Sequence, residues 1–241
     1  MRIAVLSDIH GNLPALEAVL AELKPYDVIW QLGDICGYGP LPNEVVALLA
    51  AEGAIGVRGN HDSAAIGQLE TDSFNDDARA AVEWTAGVLT ADTHRWLSAL
   101  PLKMVDGSFT MVHGSPRDPT WEYIFTAETA RANMKRFQTS YCLVGHTHVP
   151  FVFVQGKSGG VDAVIAGEDS VLDLDGTRII VNPGSVGQPR DGDPRASAMI
   201  IDTEASTIAW HRVEYPIEKT QRLMTDLKLP KRLIQRLEYG L

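Results

Sequence analysis

The chain has 241 residues, of which 45% are hydrophobic, and this length and composition suit one large α/β domain or two small ones. Its formal charge of −10 makes a nucleic-acid backbone an unfavourable partner, because like charges repel. No apolar run approaches the ~20 residues of a membrane span, and no charged-then-apolar leader opens the sequence. Cys36 and Cys142 offer no disulfide framework, so we expect a cytoplasmic protein without a membrane partner.

The first part of the sequence alternates between strand and helix patterns. Apolar runs rich in β-formers, and apolar residues at helical spacing, predict these elements in chain order: strand 2–8, helix 13–24, strand 26–34, helix 43–53 and strand 54–60. Asn12 stands where it can cap the first helix. A β-α-β-α-β order implies parallel strands joined by right-handed crossovers.

The rest of the chain is richer in strands. After helical segments at 75–89 and 92–99, and around one helix at about 126–138, the predicted strands are 109–114, 141–148, 150–155, 170–174, 178–184, 196–202 and 206–215. This half is expected to be more antiparallel, and no low-complexity linker or internal repeat divides the chain. We expect one α/β domain over 1–241, with two packed mixed β-sheets and helices outside. A helical C-terminal tail at about 216–240 offers an apolar face that should pack on the body.

Histidines and their polar neighbours collect at the ends of predicted strands. In chain order these groups are Asp8 and His10, Asp34, Asn60 and His61, His113, and His146 with His148. Because ligands gather outside the carboxyl ends of the strands in an open α/β sheet, all these groups can converge at one rim. Asp-x-His and His-x-His also place two side chains on the same side of an extended backbone. A single histidine at a strand end is more often an ordinary polar residue, but five groups at successive strands are hard to explain that way.

The chemistry of this set points to metal ions. Two carboxylates, an amide and four or five imidazoles exceed what one cation needs, whereas two ions sharing a bridging carboxylate would use them well. Mixed nitrogen and oxygen ligation suits Mn, Fe, Zn, Co or Ni better than Ca or Mg. Two such ions roughly 3.5–4 Å apart can clamp a phosphate ester and lower the pKa of a bridging water. His94 and His211 lack such neighbours, and we assign them to a helix surface and to cross-strand packing.

Five short motifs between residues 8 and 148 together resemble the motifs of a known protein family. They are D-x-H at 8–10, G-D at 33–34, G-N-H-D at 59–62, H-G at 113–114 and G-H-x-H at 145–148. In this order they resemble the calcineurin-like metallophosphoesterase family, and the segments at 37–46, 113–123 and 182–197 are similar to bacterial, phosphodiesterase-like members of that group. The resemblance implies an α/β/β/α sandwich, which agrees with the predicted strand count. It also implies two divalent transition-metal ions per chain, of Mn, Fe, Zn, Ni or Co.

The resemblance further implies a specific role for each of these residues. One metal would take Asp8, His10 and His148, the other would take Asn60, His113 and His146, and Asp34 would bridge the two. His61 would stay off the metals and act on the substrate, either as a general acid or as a cation for the phosphoryl oxygens. Asp62 would orient or cap the segment that carries them.

The sequence departs from the family after the bridging aspartate. Phosphoprotein phosphatases and dinucleoside tetraphosphatases of this superfamily carry an arginine there, in a Gly-Asp-x-x-x-Arg-Gly context. Here Tyr38 takes the place of that arginine, and Gly37 takes the place of the protein-phosphatase aspartate. A guanidinium fork that would grip a dianionic phosphate is therefore missing. Arg58, Arg117 and Arg190 are the arginines that could compensate, and the candidate substrate contacts are Asn12, Tyr38, Arg117 and Arg190.

Two classes of function remain open. The full ligand set and His61 favour a hydrolase that acts on a phosphate-ester small molecule or a nucleotide, preferably a phosphodiester. A phosphomonoesterase, a phosphoprotein phosphatase or a dinucleoside polyphosphate hydrolase is the alternative within this class. The second class is a non-catalytic, metal-stabilised binding module, which we would expect to have lost a ligand. A nuclease is disfavoured by the net charge.

Overall fold

Two six-stranded sheets face each other in the computed structural model, which describes residues 1–168 and 170–241. The strands are β1 (Arg2–Leu6), β2 (Val28–Gln31), β3 (Ile55–Gly56), β4 (Lys103–Asp106), β5 (Phe109–Val112), β6 (Tyr141–Leu143), β7 (Phe151–Gln155), β8 (Val161–Ile165), β9 (Val171–Asp173), β10 (Ile179–Asn182), β11 (Ala196–Asp202) and β12 (Thr207–Val213). Both sheets are mixed, as the sequence predicted.

Helices cover the outer faces of the sheets. They are α1 (Leu13–Leu23), α2 (Pro42–Ala51), α3 (Asn60–Ala65), α4 (Asp76–Val88), α5 (Ala91–Ala99), α6 (Ala127–Met134), α7 (Ile217–Asp226) and α8 (Lys231–Gln235), which continues as a 3₁₀ turn at Arg236–Glu238. Among the described residues, none of these helices combines the length and the apolar character that crossing a membrane requires.

The first sheet has the order β3-β2-β1-β11-β12-β9. β1 pairs in parallel with β2, and β2 with β3, which confirms the predicted β-α-β-α-β unit. β11 joins β1 in antiparallel pairing, and β12 and β9 continue that way. The second sheet has the order β4-β5-β6-β10-β7-β8, with parallel β5-β6-β10 pairing at its centre and antiparallel pairing at both sides. Loops at the carboxyl ends of the parallel strands in both sheets can therefore contribute residues to one site.

Alternation along β1 shows how the layers form. Ile3 and Val5 face the second sheet and pack in the core between the sheets, whereas Ala4 and Leu6 face the helices. A separate core lies between the second sheet and α6. The result is an α/β/β/α sandwich. The predicted packing of the tail is confirmed, since Leu233 joins the helix-side core beside other buried tail residues.

The predicted strands ran too far at their polar ends. β1 ends at Leu6 and β6 at Leu143, because the residues that follow leave the sheet in turns. Asn60 begins α3 instead of ending a strand. The sequence prediction also missed β4 and β8, which lie at opposite edges of the second sheet.

Candidate metal centre

The loops that follow β1, β2, β5 and β6 meet the start of α3 at one rim of the sandwich. This rim brings together the seven predicted metal ligands, and all of them are buried: Asp8, His10, Asp34, Asn60, His113, His146 and His148. Groups of three with ligand atoms within 4.8 Å of one another include Asp8, His10 and His148. Another such group is Asp34, His113 and His146. The first group has the composition that the resemblance implied for one metal, and the second contains two of the three residues implied for the other together with Asp34.

The first group centres on Asp8. Its Oδ1 lies 3.3 Å from Nε2 of His148 and 3.9 Å from Nε2 of His10. The two imidazole Nε2 atoms are 3.2 Å apart. Two imidazoles and a carboxylate therefore direct their ligand atoms at one small volume.

The second group centres on His113. Its Nε2 lies 3.1 Å from Oδ1 of Asn60 and 3.1 Å from Nδ1 of His146. Oδ2 of Asp34 lies 3.3 Å from the same nitrogen. Nitrogen and oxygen atoms are again mixed, which suits a transition-metal ion better than calcium or magnesium.

Asp34 lies between the two groups. Its Oδ2 is 3.3 Å from Nε2 of His113 and 3.8 Å from Nε2 of His10. Its Oδ1 is held by the backbone N–H of His61 at 2.9 Å. One oxygen thus fixes the carboxylate while the other faces both groups.

Backbone carbonyls fix three of the imidazoles. Nδ1 of His10 lies 3.0 Å from the carbonyl of Cys36, Nδ1 of His113 lies 2.9 Å from that of Leu32, and Nδ1 of His148 lies 2.6 Å from that of Gln188. A carbonyl can only accept a hydrogen bond, so each Nδ1 carries the proton. In the neutral ring Nε2 then presents a lone pair to the centre, as in most histidine ligands of metals.

The arrangement fits cations and is unfavourable without them. The Nε2 atoms of His10 and His148 face each other, and neither neutral ring has a proton there to donate. Oδ1 of Asp8 is buried without a hydrogen-bond partner among the described residues. Unpaired acceptors in a protein interior are costly. The seven residues therefore match the requirements of bound divalent metal ions.

Electrostatics among the residues of the centre follow from burial and close charges. Burial raises the pKa of Asp8 to about 7, against the attraction of His113. Burial also disfavours the charged form of Asp34. The attraction of the His113 and His61 imidazoles is stronger than this effect and holds the pKa of the Asp34 carboxyl well below its usual range. Burial opposes a charge on His113, but Asp34 raises its pKa to about 9. Burial lowers the pKa of the other three histidine ligands, His10, His146 and His148.

The backbone at the centre is unusual. Of the eight non-glycine residues with positive φ in the described chain, six lie here: Asp8, His10, Asp34, Tyr38, His146 and His148. The expectation that Asp8 with His10, and His146 with His148, share one side of an extended backbone is therefore wrong. Each pair converges through left-handed turns instead. Such residues cost of order 1–3 kcal/mol each and persist where the surrounding structure holds them.

Two glycines of the motifs allow close approach. A Cβ at Gly59 would lie 2.8 Å from Cγ of Asp34 and closer still to its backbone nitrogen. A Cβ at Gly145 would lie 2.9 Å from Oδ2 of Asp8 and would also strike the hydroxyl of Ser7. Cβ atoms in proteins do not approach other atoms this closely. The backbone can therefore lie against the carboxylates of Asp34 and Asp8 only because Gly59 and Gly145 have no side chain.

His61 lies beside the centre and is buried. Its ring packs against the rings of Tyr38 at 4.4 Å, His10 at 4.9 Å and Phe74 at 4.9 Å, measured between centroids. A ligand atom of His61 also lies within 4.8 Å of ligand atoms of His10 and Asp34. Burial lowers the pKa of His61 to about 4. The distances from His61 to His10 and Asp34 therefore do not distinguish it from the metal ligands. That His61 is not a ligand stays a prediction.

Asp62 holds two loops of the centre together. Its Oδ1 accepts hydrogen bonds from the backbone N–H groups of Ile35 at 2.9 Å and Cys36 at 3.0 Å. Its Oδ2 accepts one from the N–H of Gly59 at 3.0 Å, which caps α3. This carboxylate orients the loop of Asp34 relative to Asn60 and His61, in line with the expectation that it orients or caps.

The four candidate substrate contacts lie in different surroundings. The amide of Asn12 is engaged inside the fold: Oδ1 accepts from Ala15 N and from the Thr220 hydroxyl, and Nδ2 donates to the carbonyl of Gly187. Arg117 is exposed and forms an ion pair with Glu122. Neither observation supports a substrate contact for these two residues, whose predicted role remains untested.

Tyr38 and Arg190 lie at the centre itself. The ring of Tyr38 packs 4.5 Å from that of His10, and the guanidinium carbon of Arg190 lies 5.6 Å from the centroid of Tyr38. Gln188 Oε1 accepts hydrogen bonds from Arg190 at 2.8 and 3.3 Å. Arg58 instead bonds to Ser63 and to a backbone carbonyl. Of the three arginines considered from the sequence, Arg190 is the one whose contacts place it beside the histidines.

Sequence reasoning missed part of the surroundings of the centre. A cavity of about 630 Å³ is lined by residues that include Tyr38, Tyr123, Arg190, Arg232 and Arg236. The ring of Tyr123 stacks on that of His146 at 3.8 Å. The two arginines of the tail were not considered. Their spacing of four residues, beside buried Leu233, was the available signal.

Comparisons with known proteins agree with this geometry. The family model for the calcineurin-like phosphoesterase superfamily domain matches residues 1–206. A metallophosphoesterase structure from Sphaerobacter thermophilus superposes with a TM-score of 0.92 at 48% identity, covering 100% of this chain and 99% of that one. An uncharacterized protein of Methanocaldococcus jannaschii is 36% identical over 245 residues, or 99% of this chain and 98% of that protein. Phosphodiesterase YfcE of Escherichia coli K12 is 26% identical over 221 residues, covering 87% of this chain and 92% of that protein. The chain therefore belongs to the calcineurin-like phosphoesterase superfamily and is a metal-dependent phosphoric ester hydrolase.

Proposed function

We propose that this hydrolase is a dinuclear phosphodiesterase acting on a small phosphate ester or a nucleotide. The observation that carries the proposal is the position of Asp34, whose Oδ2 faces His113 at 3.3 Å and His10 at 3.8 Å. A carboxylate that serves only one ion has no need to face ligand atoms of two groups. Its buried position between them supports two ions with one shared ligand.

The ligands divide between the two ions as the geometry suggests. Asp8, His10 and His148 would hold one ion, Asn60, His113 and His146 the other, and Asp34 both. When bound, such ions neutralise charge on phosphoryl oxygens and make water acidic enough to act as a nucleophile near neutral pH. The chain itself contributes fixed imidazole orientations, since backbone carbonyls hold three of the rings.

His61 would act on the substrate. Because burial lowers the pKa of His61 to about 4, the ring is neutral at neutral pH before an anion binds. A bound phosphoryl group would favour the protonated ring, since opposite charges stabilise each other in a buried site. A Cβ at Gly37 would strike Nδ1 of this ring, so Nδ1 packs against the Gly37 backbone. Nε2 is then the atom that would donate a proton to the leaving-group oxygen.

A diester fits the surroundings better than a monoester. A monoester carries close to two charges at neutral pH, and Gly37 and Tyr38 stand where protein-phosphatase relatives place additional polar groups. A diester carries one charge, so two metal ions and His61 would suffice to stabilise it. The cavity beside Tyr38 and Tyr123 has room for a second substituent. The similarity to a phosphodiesterase of Escherichia coli also supports this preference.

The test compares kcat/KM for bis-nitrophenyl phosphate and nitrophenyl phosphate with Mn at fixed pH. We expect the diester to be cleaved at least as well as the monoester, and neither to be cleaved above background in a metal-free control. A monoester preference above about tenfold would overturn the diester assignment, because kcat/KM compares transition-state stabilisation directly. It would also assign Arg190 the role of the missing anion clamp. No hydrolysis of either ester would favour the binding module instead.

A further inference from the structure

The cavity lies next to the metal centre and shares two aromatic residues with it. Two of its walls are Tyr38 and Tyr123. The ring of Tyr38 contacts that of His10 at 4.5 Å, and the ring of Tyr123 stacks on that of His146 at 3.8 Å. His10 and His146 belong to different metal-ligand groups. A substrate held at the centre would have to extend past these two rings to enter the cavity, whose volume is about 630 Å³.

Three arginines from two separate parts of the chain line this cavity. Arg190 comes from the loop after β10, and Arg232 and Arg236 come from the tail. A spacing of four residues puts the two tail arginines on one face of the helical segment. Leu233, which is 2% exposed, anchors that segment in the core. The backbone N–H of Gly192 also donates to the carbonyl of Gly240 at 3.0 Å, which ties the tail to the Arg190 loop.

The positive charge of this cavity is only partly neutralised. Gln188, a neutral residue, holds the guanidinium of Arg190. Nε of Arg236 donates to the backbone oxygen of Leu241. Asp76 and Asp77 line the same cavity, so the side chains of its lining, counted alone, carry a formal charge of +1.

The three guanidinium groups also act on one another. Burial lowers the pKa of Arg236 to about 10, and repulsion from Arg190 adds to the effect of burial. An anion placed among these groups would relieve the repulsion. Guanidinium groups bind phosphate oxygens in a fixed, often bidentate geometry, which makes phosphate the matching anion.

We propose that Arg190, Arg232 and Arg236 bind a second phosphate group of the substrate, carried on the substituent that occupies the cavity. The preferred substrate would then be a phosphate diester that bears a further phosphate, and the tail would be part of the substrate site. This inference rests on the proposed function. Arg232 and Arg236 lie beyond residues 1–206, the part that the family model matches, so the added specificity belongs to this chain's tail.

A matched pair of substrates tests the proposal. The nitrophenyl ester of thymidine 5′-phosphate is compared with the same ester carrying a 3′-phosphate, using Mn-loaded protein. We expect kcat/KM to be higher by about tenfold or more for the compound with the additional phosphate, since charge-assisted contacts of this kind are among the stronger hydrogen bonds. The ratio of the two kcat/KM values should fall toward one in Arg232→Gln and in Arg236→Gln. Arg222→Gln is the matched control, because Arg222 is an exposed arginine of α7 outside this cavity, and it should keep the wild-type ratio.

A ratio near one in the wild-type protein, or a ratio that both cavity variants leave unchanged, would overturn the inference. Arg232 is exposed, so its variant is expected to fold even if Arg236→Gln does not. If neither ester is cleaved, the proposed function fails, and calorimetry with thymidine 3′,5′-bisphosphate and thymidine 5′-phosphate then decides. Tighter binding of the bisphosphate that is lost in Arg232→Gln supports the inference, and equal binding of the two nucleotides contradicts it.

Discussion

Gly59→Ala should damage the metal centre without removing any ligand. Gly59 occupies the N-cap of α3, directly before Asn60 and His61. A Cβ at this position would lie 2.8 Å from Cγ of Asp34, and the backbone nitrogen of Asp34 blocks any simple side-chain movement away from it. Either the loop of Asp34 or the start of α3 must therefore shift by several tenths of an ångström or more.

The expected cost can be worked out from these contacts. Overpacking of a filled interior costs about 1–3 kcal/mol. Displacement of Asp34 also weakens its hydrogen bond from the His61 N–H, which is 2.9 Å long and buried. A hydrogen bond to a charged group contributes about 1.5–3 kcal/mol. Together these effects amount to about 2.5–6 kcal/mol, a large part of the ~5–15 kcal/mol by which a domain is stable.

Urea unfolding in the presence of a chelator, followed by a Mn titration of the folded protein, measures both consequences. Gly87→Ala is the matched control, because a Cβ at Gly87 in α4 meets no atom within 4 Å. That variant should change the free energy of unfolding by less than about 1 kcal/mol, because Gly87 is the next-to-last residue of α4 and has open space around its Cα. A Gly59→Ala protein whose unfolding free energy and Mn affinity both equal those of the wild type would refute this account of the motif glycine.

Two further predictions concern His61 and pH. His61→Ala should keep the metals but lower turnover by roughly 10²–10⁴, the usual contribution of general acid–base catalysis, with a smaller loss for substrates that have good leaving groups. Loss of Mn from this variant would instead make His61 a ligand. The pKa of His113 is raised to about 9 and that of Asp8 to about 7, so below these values protons compete with metal. Mn affinity should therefore rise with pH up to about 9, and Mn binding should release protons. Calorimetry in buffers of different ionisation enthalpy measures this proton release. An Mn affinity that does not depend on pH would contradict the prediction.

The convergence of the candidate ligands could be predicted because strand order determines where polar side chains meet. Asp8 and Asp34 follow parallel strands of the first sheet, and His113 and His146 follow parallel strands of the second. Their carboxyl ends face one rim, so a list of strand ends was enough to bring the residues together. The α/β/β/α layers likewise follow from apolar runs long enough to be buried on both faces.

The backbone details could not be predicted from local patterns. Positive φ at residues such as Asp34 and His148 is enforced by the surrounding fold and opposes local preference, so propensity points the wrong way. β4 escaped prediction because it is a short edge strand in which Lys103 and Asp106 are exposed, which leaves a weak alternation signal. The position of Arg232 depends on how a short helix docks, which no local pattern specifies.

Anomalous scattering from crystals of the Mn-loaded protein tests the central claim most directly. The account predicts two Mn peaks per chain, with the carboxylate of Asp34 in contact with both. One group of ligands should surround each peak, His10 at the first and His113 at the second. A single peak at full Mn occupancy, or two peaks of which one lies away from Asp34, would contradict a dinuclear centre bridged by this residue.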